Sequence, residues 1–388
     1  MSNLEHLKHG YLPSGTIVDT ERHQGPGGIG GYVAHWGEIW KGEALDDEIK
    51  MAYGLDPNIP LPSSGFEYIY RQGHVSRERA IEDELCVADI VVAGTLEANG
   101  WQAEDVDALI VGSGVPPLDT GEIEDYAHTI ALRSGLRPNI YTHNTHAACA
   151  SGGDEFFNAL LNPSLQGKKV LVLGMESVTS LTPDFDPKMA DSLSMQLFSN
   201  GAAGIGIIPG EDITIQVINY RRLIVPDTRG ALAAKMTYED KLDPESNEIW
   251  QENGNTSMIR VPVPENDMLL RMKGKQTAAF FVRAGAQFID ELYQKYTQKN
   301  PEHKIPYIIS HYPSEGVCKL LREHLEKRGV TPEIPKVIHD GNASAATTII
   351  AINRLLHRAM PGSRAMVVSY GAGGVFVGGI VEYLQRKR

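Results

Sequence analysis

The sequence predicts an α/β protein made of two similar halves, because the same order of elements occurs twice along its 388 residues. Each half has a short apolar strand, a turn of small residues that opens a helix, a second apolar strand and a glycine-rich strand. In the first half these are Asp107–Ser113, the turn at Cys149 with the helix Asp154–Leu161, Lys169–Gly174 and Gly201–Pro209. In the second half they are Tyr307–His311, the turn at Asn342 and its helix, Arg364–Ser369 and Gly373–Val381. The first three pairs lie about 190 to 200 residues apart, which places Cys149 and Asn342 at equivalent helix starts.

Cys149 is the first candidate functional residue. It precedes the helix Asp154–Leu161 and is surrounded by alanine, serine and glycine residues. The positive end of a helix dipole and its unpaired N–H groups favour a thiolate, and small neighbours let a bulky acyl group reach the sulfur. The alternative is a buried packing residue, which is a common role of a free cysteine.

Two downstream residues favour chemistry over packing. The short apolar segment Ile305–Ser310 delivers His311 at its C-terminal end, and the turn His339–Asn342 opens the second long helix. A cysteine together with His and Asn indicates covalent acyl chemistry. A papain-like hydrolase has the same chain order, but the internal repeat and the missing Cys-Gly-Ser-Cys sequence disfavour it. A non-catalytic scaffold protein is disfavoured because all three residues are present.

Four motifs in this order resemble the thiolase superfamily and, within it, the beta-ketoacyl-acyl-carrier-protein synthase III group of condensing enzymes. They are the nucleophile turn Ala147–Gly152, the strand that ends in His311, Gly341–Ala346 and Tyr370–Phe376. The resemblance extends from Phe66 to the C-terminus. It implies two fused βα repeats in a five-layer αβαβα sandwich, and a homodimer.

The same resemblance implies roles for individual residues. Cys149 matches the acyl-accepting nucleophile, and the backbone N–H groups of Cys149 and Ala372 match its oxyanion hole. His311 and Asn342 match the pair that binds the thioester carbonyl of the second substrate. Two neutral donors at that place stabilise an enolate as its charge develops.

The expected reaction is a Claisen condensation of an acyl group on Cys149 with a second thioester, either malonyl or β-ketoacyl. The setting expected for it is specialised polyketide or fatty-acid-derived metabolism. The alternative is an acyltransferase that moves the acyl group to a hydroxyl or amine, with His311 as general base.

Several positions depart from the family pattern. The usual His-Gln-Ala-Asn sequence is replaced by His311–Ser314. Arg71 begins an Arg-Gln-Gly sequence similar to the Arg-Thr-Gly of the coenzyme A entrance, but Glu67 stands where a tryptophan is usual. We therefore expect Arg71, Ser314 and Tyr370 of the terminal motif to contact substrate, with an unusual acyl donor or acceptor.

His143 and His146 lie just before the nucleophile, where the family has an apolar residue and Asp. Two histidines alone are a poor zinc signature, since such a site needs three or four ligands. We therefore expect no metal, and no cofactor other than the acyl-CoA or acyl-carrier-protein thioesters that are the substrates. The remaining interpretations of the two histidines are packing and a role in substrate positioning or proton transfer.

Composition agrees with a cytoplasmic enzyme. The chain is 42% hydrophobic, no apolar run is long enough to span a membrane, and the first residues lack the apolar core of a signal peptide. The three cysteines cannot all pair, and Cys86 and Cys318 lie in helical patterns that predict packing roles. A formal net charge of -13 argues against a nucleic-acid partner.

An acidic acyl carrier protein needs a local basic patch for docking. Two clusters are candidates: Arg71, Arg77 and Arg79, and Arg221, Arg222 and Arg229. For each single residue, a solvated surface charge is the alternative.

Four segments are predicted along the chain: an N-terminal extension (1–65), a half with the nucleophile (66–212), an insertion or cap (213–265) and a half with His and Asn (266–388). The glycine run Gly25–Gly31 lacks the Lys-Ser/Thr ending of a phosphate loop and is interpreted as a flexible surface loop. The acidic insertion is long for a compact fold and is expected to cover the substrate tunnel or a dimer partner.

Overall fold

The computed structural model describes the following parts of the chain: residues 11–25, 29–41, 65–72, 77–114, 126–145, 147–177, 197–210, 215–224, 250–252, 255–258, 274–336, 340–356, 360, 362–371 and 374–383. Several residues of the predicted site lie outside these ranges: His146, Arg229, His339 and Ala372. Most of the predicted insertion lies outside them as well.

The first sheet has six strands in the order β1-β2-β8-β7-β5-β6. Its strands are β1 Val18–Gln24, β2 Gly30–Trp36, β5 Ala108–Ser113, β6 Tyr141–Thr145, β7 Val170–Glu176 and β8 Gly201–Ile207. β5 pairs in parallel with β6 and β7, and the remaining pairs are antiparallel. β5 and β7 are buried along their whole length, as expected for apolar strands that are covered on both faces.

The second sheet has four strands in the order β12-β13-β14-β9. Its strands are β9 Ile215–Ile224, β12 Tyr307–Ser310, β13 Arg364–Gly371 and β14 Val375–Tyr383. β12 and β13 are parallel, and the other pairs are antiparallel. Two antiparallel two-stranded sheets are formed by β3 Glu38–Lys41 with β4 Tyr68–Arg71, and by β10 Trp250–Glu252 with β11 Asn255–Met258.

The helices form three layers around these sheets. They are α1 Arg77–Asn99, α2 Tyr126–Arg133, α3 Ser151–Leu161, α4 Gly274–Lys299, α5 Glu315–Glu326 and α6 Ser344–Leu356. α1 and α2 pack on the first sheet, α3 and α6 pack on each other and on both sheets, and α4 packs on the second sheet and on α5. Cys86 of α1 and Cys318 of α5 are buried free thiols, so the packing roles predicted for them are confirmed.

Two adjacent glycines of β2 show that the first sheet is covered on both faces. A Cβ at Gly30 would collide with Ala98 of α1, whereas a Cβ at Gly31 would collide with Asn353 of α6. Successive residues of a strand point to opposite faces, so α1 and α6 lie on opposite sides of the sheet. The five-layer αβαβα sandwich expected from the sequence is confirmed.

Two expectations about the added segments are wrong in part. Gly30 and Gly31 are buried strand residues and not part of a surface loop, because β2 pairs with both β1 and β8. Strand β9, at the start of the segment predicted as an insertion, pairs with β14 and so belongs to the second sheet. The other segment boundaries stay predictions.

Candidate active site

Cys149 lies in a single 3-10 turn, Ala148–Ala150, that runs directly into α3. Ala148 has a φ of 49°, in the left-handed region that residues with a Cβ seldom adopt. The equivalent position before Asn342 is Gly341, with a φ of 66°. The two halves therefore repeat the same local backbone, a left-handed residue directly before the candidate functional residue.

The side chain of Ser151 holds the nucleophile turn. Its hydroxyl accepts a hydrogen bond from the N–H of Ala147 over 2.6 Å. It also lies 2.7 Å from the carbonyl of Ala148 and 3.0 Å from that of Ser113 at the end of β5. These bonds stabilise the strained turn at one fixed place above the first sheet.

Strand β13 supports the same turn from the second sheet. The hydroxyl of Ser369 donates to the carbonyl of Cys149 over 3.1 Å. A Cβ at Gly371 would lie 2.7 Å from the nitrogen of Ala150 and 2.9 Å from that of Cys149, so only glycine fits there. Ala372, predicted to complete the oxyanion hole, directly follows this contact but lies outside the described residues.

Asn342 reaches the nucleophile through Ser344, the first residue of α6. The hydroxyl of Ser344 donates to Sγ of Cys149 over 3.2 Å, and the Ser344 N–H donates to Oδ1 of Asn342 over 2.9 Å. The backbone of Asn342 exchanges hydrogen bonds with Leu197 and Ser199 at the end of the first half. Cys149 and Asn342, predicted at equivalent helix starts, are therefore linked through Ser344.

His311 follows β12 and is only 2% exposed. Its N–H donates to the carbonyl of Val368 over 2.9 Å, and the hydroxyl of Tyr370 donates to its carbonyl over 3.1 Å. The ring of Tyr370 also meets the imidazole edge to face. Since β13 also carries Ser369 and Gly371, one strand connects His311 to the backbone of Cys149.

Burial lowers the pKa of His311 to about 3, so its imidazole is neutral at physiological pH. Its Nδ1 atom is buried and makes no hydrogen bond to any residue that the structure describes. A neutral imidazole with one unused nitrogen can donate to or accept from a bound ligand.

The pKa of Cys149 is raised, whereas its place before a helix led us to expect a favoured thiolate. Although the residue is partly exposed, loss of water around the sulfur raises the pKa of its thiol to about 11. The Ser344 hydroxyl lowers this pKa, but the nearby charge of Glu176 raises it. The helix start expected to favour a thiolate is therefore outweighed by burial.

Two buried carboxyl groups below the nucleophile were not found from the sequence. Burial raises the pKa of Glu176 to about 8, and burial raises that of Glu84 to about 7. Oε2 of Glu176 accepts the N–H of Gly114 over 3.0 Å, and Glu84 binds the hydroxyls of Tyr126 and Ser177. A glutamate that ends an otherwise apolar strand was the one sequence signal for Glu176.

His143 belongs to a separate polar cluster on the edge strand β6. Its Nδ1 lies 2.7 Å from the buried carboxylate of Glu155, which Asn158 also binds. The hydrogen bond with Glu155 raises the pKa of His143. The structure accounts for His143 by this local pair, and its predicted contact with substrate stays a prediction, as does that of His146.

The other residues predicted to contact substrate are already engaged within the protein. Arg71 is 4% exposed at the end of β4. The hydroxyl of Ser314 caps α5 by accepting the N–H of Val317 over 3.2 Å. Tyr370 binds the carbonyl of His311. Their observed contacts are structural, and a role in binding substrate stays a prediction for each.

The N-terminal strand β2 anchors the turn before Asn342. Nε2 of His35 lies 3.0 Å from a carboxylate oxygen of Asp340, and both side chains are buried. Arg354 of α6 binds the same carboxylate and also Glu21 of β1. The first strands of the chain therefore help to position the site.

The basic clusters proposed for carrier docking are only partly available. Arg221 pairs with Glu291, and Arg222 lies 3.1 Å from Asp154. Arg79 is exposed.

Among the described residues, no group of three or more His, Cys, Asp or Glu side chains is arranged to hold a metal ion. No helix in the same residues is long and apolar enough to cross a membrane.

The five-layer sandwich, with a cysteine just before a central helix, is a thiolase-like fold. The chain is similar to the beta-ketoacyl-[acyl-carrier-protein] synthase III of Mycobacteroides abscessus, with 26% identity over 331 residues that cover 82% of this chain and 87% of that protein. The sequence resemblance to this group of condensing enzymes is therefore confirmed. No protein-family model matches the sequence.

Solved structures have the same fold. The C-terminal type III polyketide synthase domain of Steely1 from Dictyostelium has a TM-score of 0.66 at 14% identity and covers 93% of this chain and 99% of its own. The 3-oxoacyl-[acyl-carrier-protein] synthase III from Aquifex aeolicus has a TM-score of 0.58 at 16% identity, with coverages of 95% and 100%. These likenesses show a shared fold. The sequence relatives, which are named as beta-ketoacyl-[acyl-carrier-protein] synthases III, support an enzyme with a condensing function of the ketosynthase III kind.

Proposed function

We propose that the protein is a condensing acyltransferase that accepts an acyl group on Cys149 and joins it to the carbon of a second thioester. Thiolate attack on an acyl thioester forms acyl-Cys149 and releases the donor thiol. An enolate from the second thioester then attacks the acyl carbonyl, a carbon-carbon bond forms, and the thiolate of Cys149 leaves. The observation that carries this proposal is that Ser344 links Cys149 to Asn342, while strand β13 binds the carbonyls of both Cys149 and His311.

The second substrate is best a malonyl-type thioester. Loss of carbon dioxide generates the enolate without a base, whereas a β-ketoacyl substrate must lose a proton to one. His311, with a pKa of about 3, is a weak base but a competent neutral donor. Asn342 is a donor that does not titrate, so the pair can stabilise the enolate oxygen over a wide pH range.

The same observation weakens the alternative in which the acyl group moves to a hydroxyl or amine. That reaction needs His311 to take a proton from the acceptor, and a group with a pKa of about 3 does so poorly near neutral pH. We retain it as an outcome of the experiment below.

Delivery by coenzyme A or by an acyl carrier protein, a homodimeric assembly and a cytoplasmic location are further parts of the proposal. The names of the sequence relatives support the carrier-protein thioester as one substrate class. A homodimer is implied by the family resemblance, and sedimentation equilibrium tests it.

The test is to incubate the purified protein with a panel of acyl thioesters, with and without malonyl thioesters, and to follow intact mass and products. Cys149→Ala is the loss-of-nucleophile variant, and Cys318→Ala is the matched control at a buried packing cysteine. We expect an acyl adduct in the wild type and in the Cys318 variant, and none in the Cys149 variant.

The fate of the adduct distinguishes the reactions. Discharge into a carbon-chain-extended product with release of carbon dioxide supports condensation. Discharge onto an added alcohol or amine selects acyl transfer instead. Absence of an adduct with every donor would overturn the covalent acyl mechanism.

A further inference from the structure

We propose that Glu176 accepts the proton of Cys149 through the hydroxyl of Ser344, so that the nucleophile is activated by a proton transfer inside the protein. This inference rests on the proposed function of Cys149 as the nucleophile. It assigns to Glu176 and Ser344 a role that neither the sequence motifs nor the Cys, His and Asn residues provide.

The geometry places one hydroxyl between the thiol and the carboxyl group. The Ser344 hydroxyl donates to Sγ of Cys149 over 3.2 Å, and it also interacts with the carboxyl group of Glu176, whose pKa it lowers. A Cβ at Gly114 would collide with both the Ser344 hydroxyl and Oε2 of Glu176, so the two groups converge on this glycine. Three elements meet here: the start of α3, the end of β7 and the start of α6.

The proton transfer conserves the number of charges in the site. When Glu176 is ionised, the Ser344 hydroxyl turns its one hydrogen from Sγ of Cys149 to the carboxylate, and its oxygen then accepts the S–H of Cys149. The S–H bond breaks, the thiol proton passes to the Ser344 oxygen, and the hydroxyl proton of Ser344 passes to the carboxylate. A thiolate and a neutral carboxylic acid result, and the serine is restored. Release of the thiol proton to solvent would instead leave two anions side by side in a buried site, which is far more costly.

Structure and electrostatics agree on which groups can take part. Burial raises the pKa of Glu176 to about 8, so a useful fraction ionises near neutral pH. Tyr370 from β13 and Tyr126 from α2 face the pair, but burial holds both pKa values well above 10.0. His311 after β12 is neutral because its pKa is lowered to about 3. The remaining neighbour is Glu84 of α1, whose charge raises the pKa of Glu176.

The test measures alkylation of Cys149 by iodoacetamide as a function of pH, with the modified cysteine identified by mass spectrometry. The thiol and Glu176 titrate as a coupled pair, so we expect the wild-type rate to rise through an inflection near the pKa of Glu176, about 8. In Glu176→Gln this inflection should disappear, so that the rate keeps rising with pH above 8 towards the pKa of the thiol itself.

Ser344 separates the proposal from a bystander role of the charge on Glu176. That charge raises the pKa of Cys149, so Glu176→Gln leaves a thiol that ionises at lower pH whether or not the carboxylate accepts its proton. A Glu176→Gln profile that keeps the inflection near pH 8 overturns the proposal, because Glu176 would then not be the group that titrates. Ser344→Ala keeps the carboxyl group and should also lose the inflection; if it keeps a wild-type profile, the proposal fails even where Glu176→Gln does not fold.

Glu84→Gln is the matched control for a change of a buried carboxyl group. It should retain the inflection but move it to lower pH, because the charge of Glu84 raises the pKa of Glu176. Loss of the inflection in this variant would show that general disturbance of the site explains the data. Iodoacetamide needs no thioester substrate, so failure of the proposed condensation would leave this test unaffected.

Discussion

At the residue scale, two histidines of the candidate site region titrate in opposite directions because of their neighbours. The hydrogen bond with Glu155 raises the pKa of His143. Burial lowers the pKa of His311 to about 3. His143 can therefore carry a charge that His311 cannot, and only the neutral His311 suits stabilisation of an enolate without a competing positive charge.

Replacing Asn342 with alanine should separate the two half-reactions. We expect the condensation rate to fall ~100-fold to ~1000-fold, because a donor to the developing enolate charge is lost. Formation of acyl-Cys149 should change much less, since the sulfur itself contacts Ser344. Single-turnover acylation and steady-state product formation measure the two steps.

Asn300→Ala, at the end of α4, controls for the loss of an asparagine that bonds only to local backbone. Both half-reactions should be retained in it. An Asn342→Ala enzyme that loses acylation as strongly as condensation would contradict the role of Asn342 as a donor to the second substrate.

The limit of sequence reasoning is visible at the same scale. The places of Cys149, His311 and Asn342 beside the start or end of an element could be predicted, because each lies in a characteristic local sequence. Ser344 and Glu176 could not be connected with Cys149, because they join it only through contacts between elements far apart in the chain. The thiol pKa also depends on burial, which local sequence does not report.

At the element scale, strand β13 approaches the nucleophile turn before α3 so closely that a glycine is required. Gly371 faces the backbone of Ala150 and Cys149, and its neighbour Ser369 binds the carbonyl of Cys149. This contact joins the second sheet to the nucleophile turn of the first half. Its geometry therefore sets where the sulfur lies between the two halves.

Gly371→Ala should move the nucleophile turn. The new Cβ would lie 2.9 Å from the nitrogen of Cys149, which the backbone cannot accommodate without a shift. We expect acylation of Cys149 to fall ~100-fold, the scale of loss from a displacement of about 1 Å at a reacting group. Intact-mass kinetics with an acyl thioester measure it.

Gly316→Ala is the matched control, because its Cβ would meet only the Ser314 hydroxyl, 4.0 Å away, within α5. It should acylate normally and be more stable by ~0.5–1 kcal/mol, since alanine favours the helix. Normal acylation in Gly371→Ala would contradict the close approach of β13 to the nucleophile.

Elements in the two halves could be predicted where local pattern determines them. The apolar strands β5, β7, β12 and β13 lie within one or two residues of their sequence-based bounds. The partners of β2 and β9 could not be predicted, because each joins a sheet through strands distant in the chain. Their glycine-rich or polar sequences are equally compatible with a loop until the partner strand is known.

At the scale of the whole molecule, the five layers place titratable groups in the interior. Glu84 on α1 and Glu176 at the end of β7 are fully buried, and His311 in the other half is buried as well. Burial raises the pKa values of the two carboxyl groups and lowers that of the histidine. Each such shift makes the free energy of unfolding depend on pH.

The signs of these shifts predict a stability maximum in mildly acidic solution. Glu84, with a folded pKa of about 7 against an ordinary pKa of 4.5, stabilises the fold fully below about pH 4.5 and loses that contribution as pH rises to about 7. Glu176 acts likewise up to about pH 8. His311 has the opposite effect, because its contribution is lost as pH falls from 6.5 towards about 3.

Glu84→Gln should remove one of these dependences. Between about pH 5 and 7, the free energy of unfolding should fall less steeply than in the wild type, by up to ~1.4 kcal/mol per pH unit. Urea unfolding across this range measures the slope. Because the charge of Glu84 also raises the pKa of Glu176, its removal lowers that pKa and flattens the curve further in the same direction.

Glu82→Gln is the control on the same helix, where the carboxylate is partly exposed and pairs with Arg133 over 2.9 Å. Exposed ion pairs contribute little to stability, so its curve should run parallel to that of the wild type. Parallel curves for Glu84→Gln as well would mean that Glu84 is ionised in the folded protein at neutral pH. The ionised Glu84 would then place a second negative charge near Glu176. That charge would raise the pKa of Glu176 and move the inflection of the Cys149 alkylation rate to higher pH.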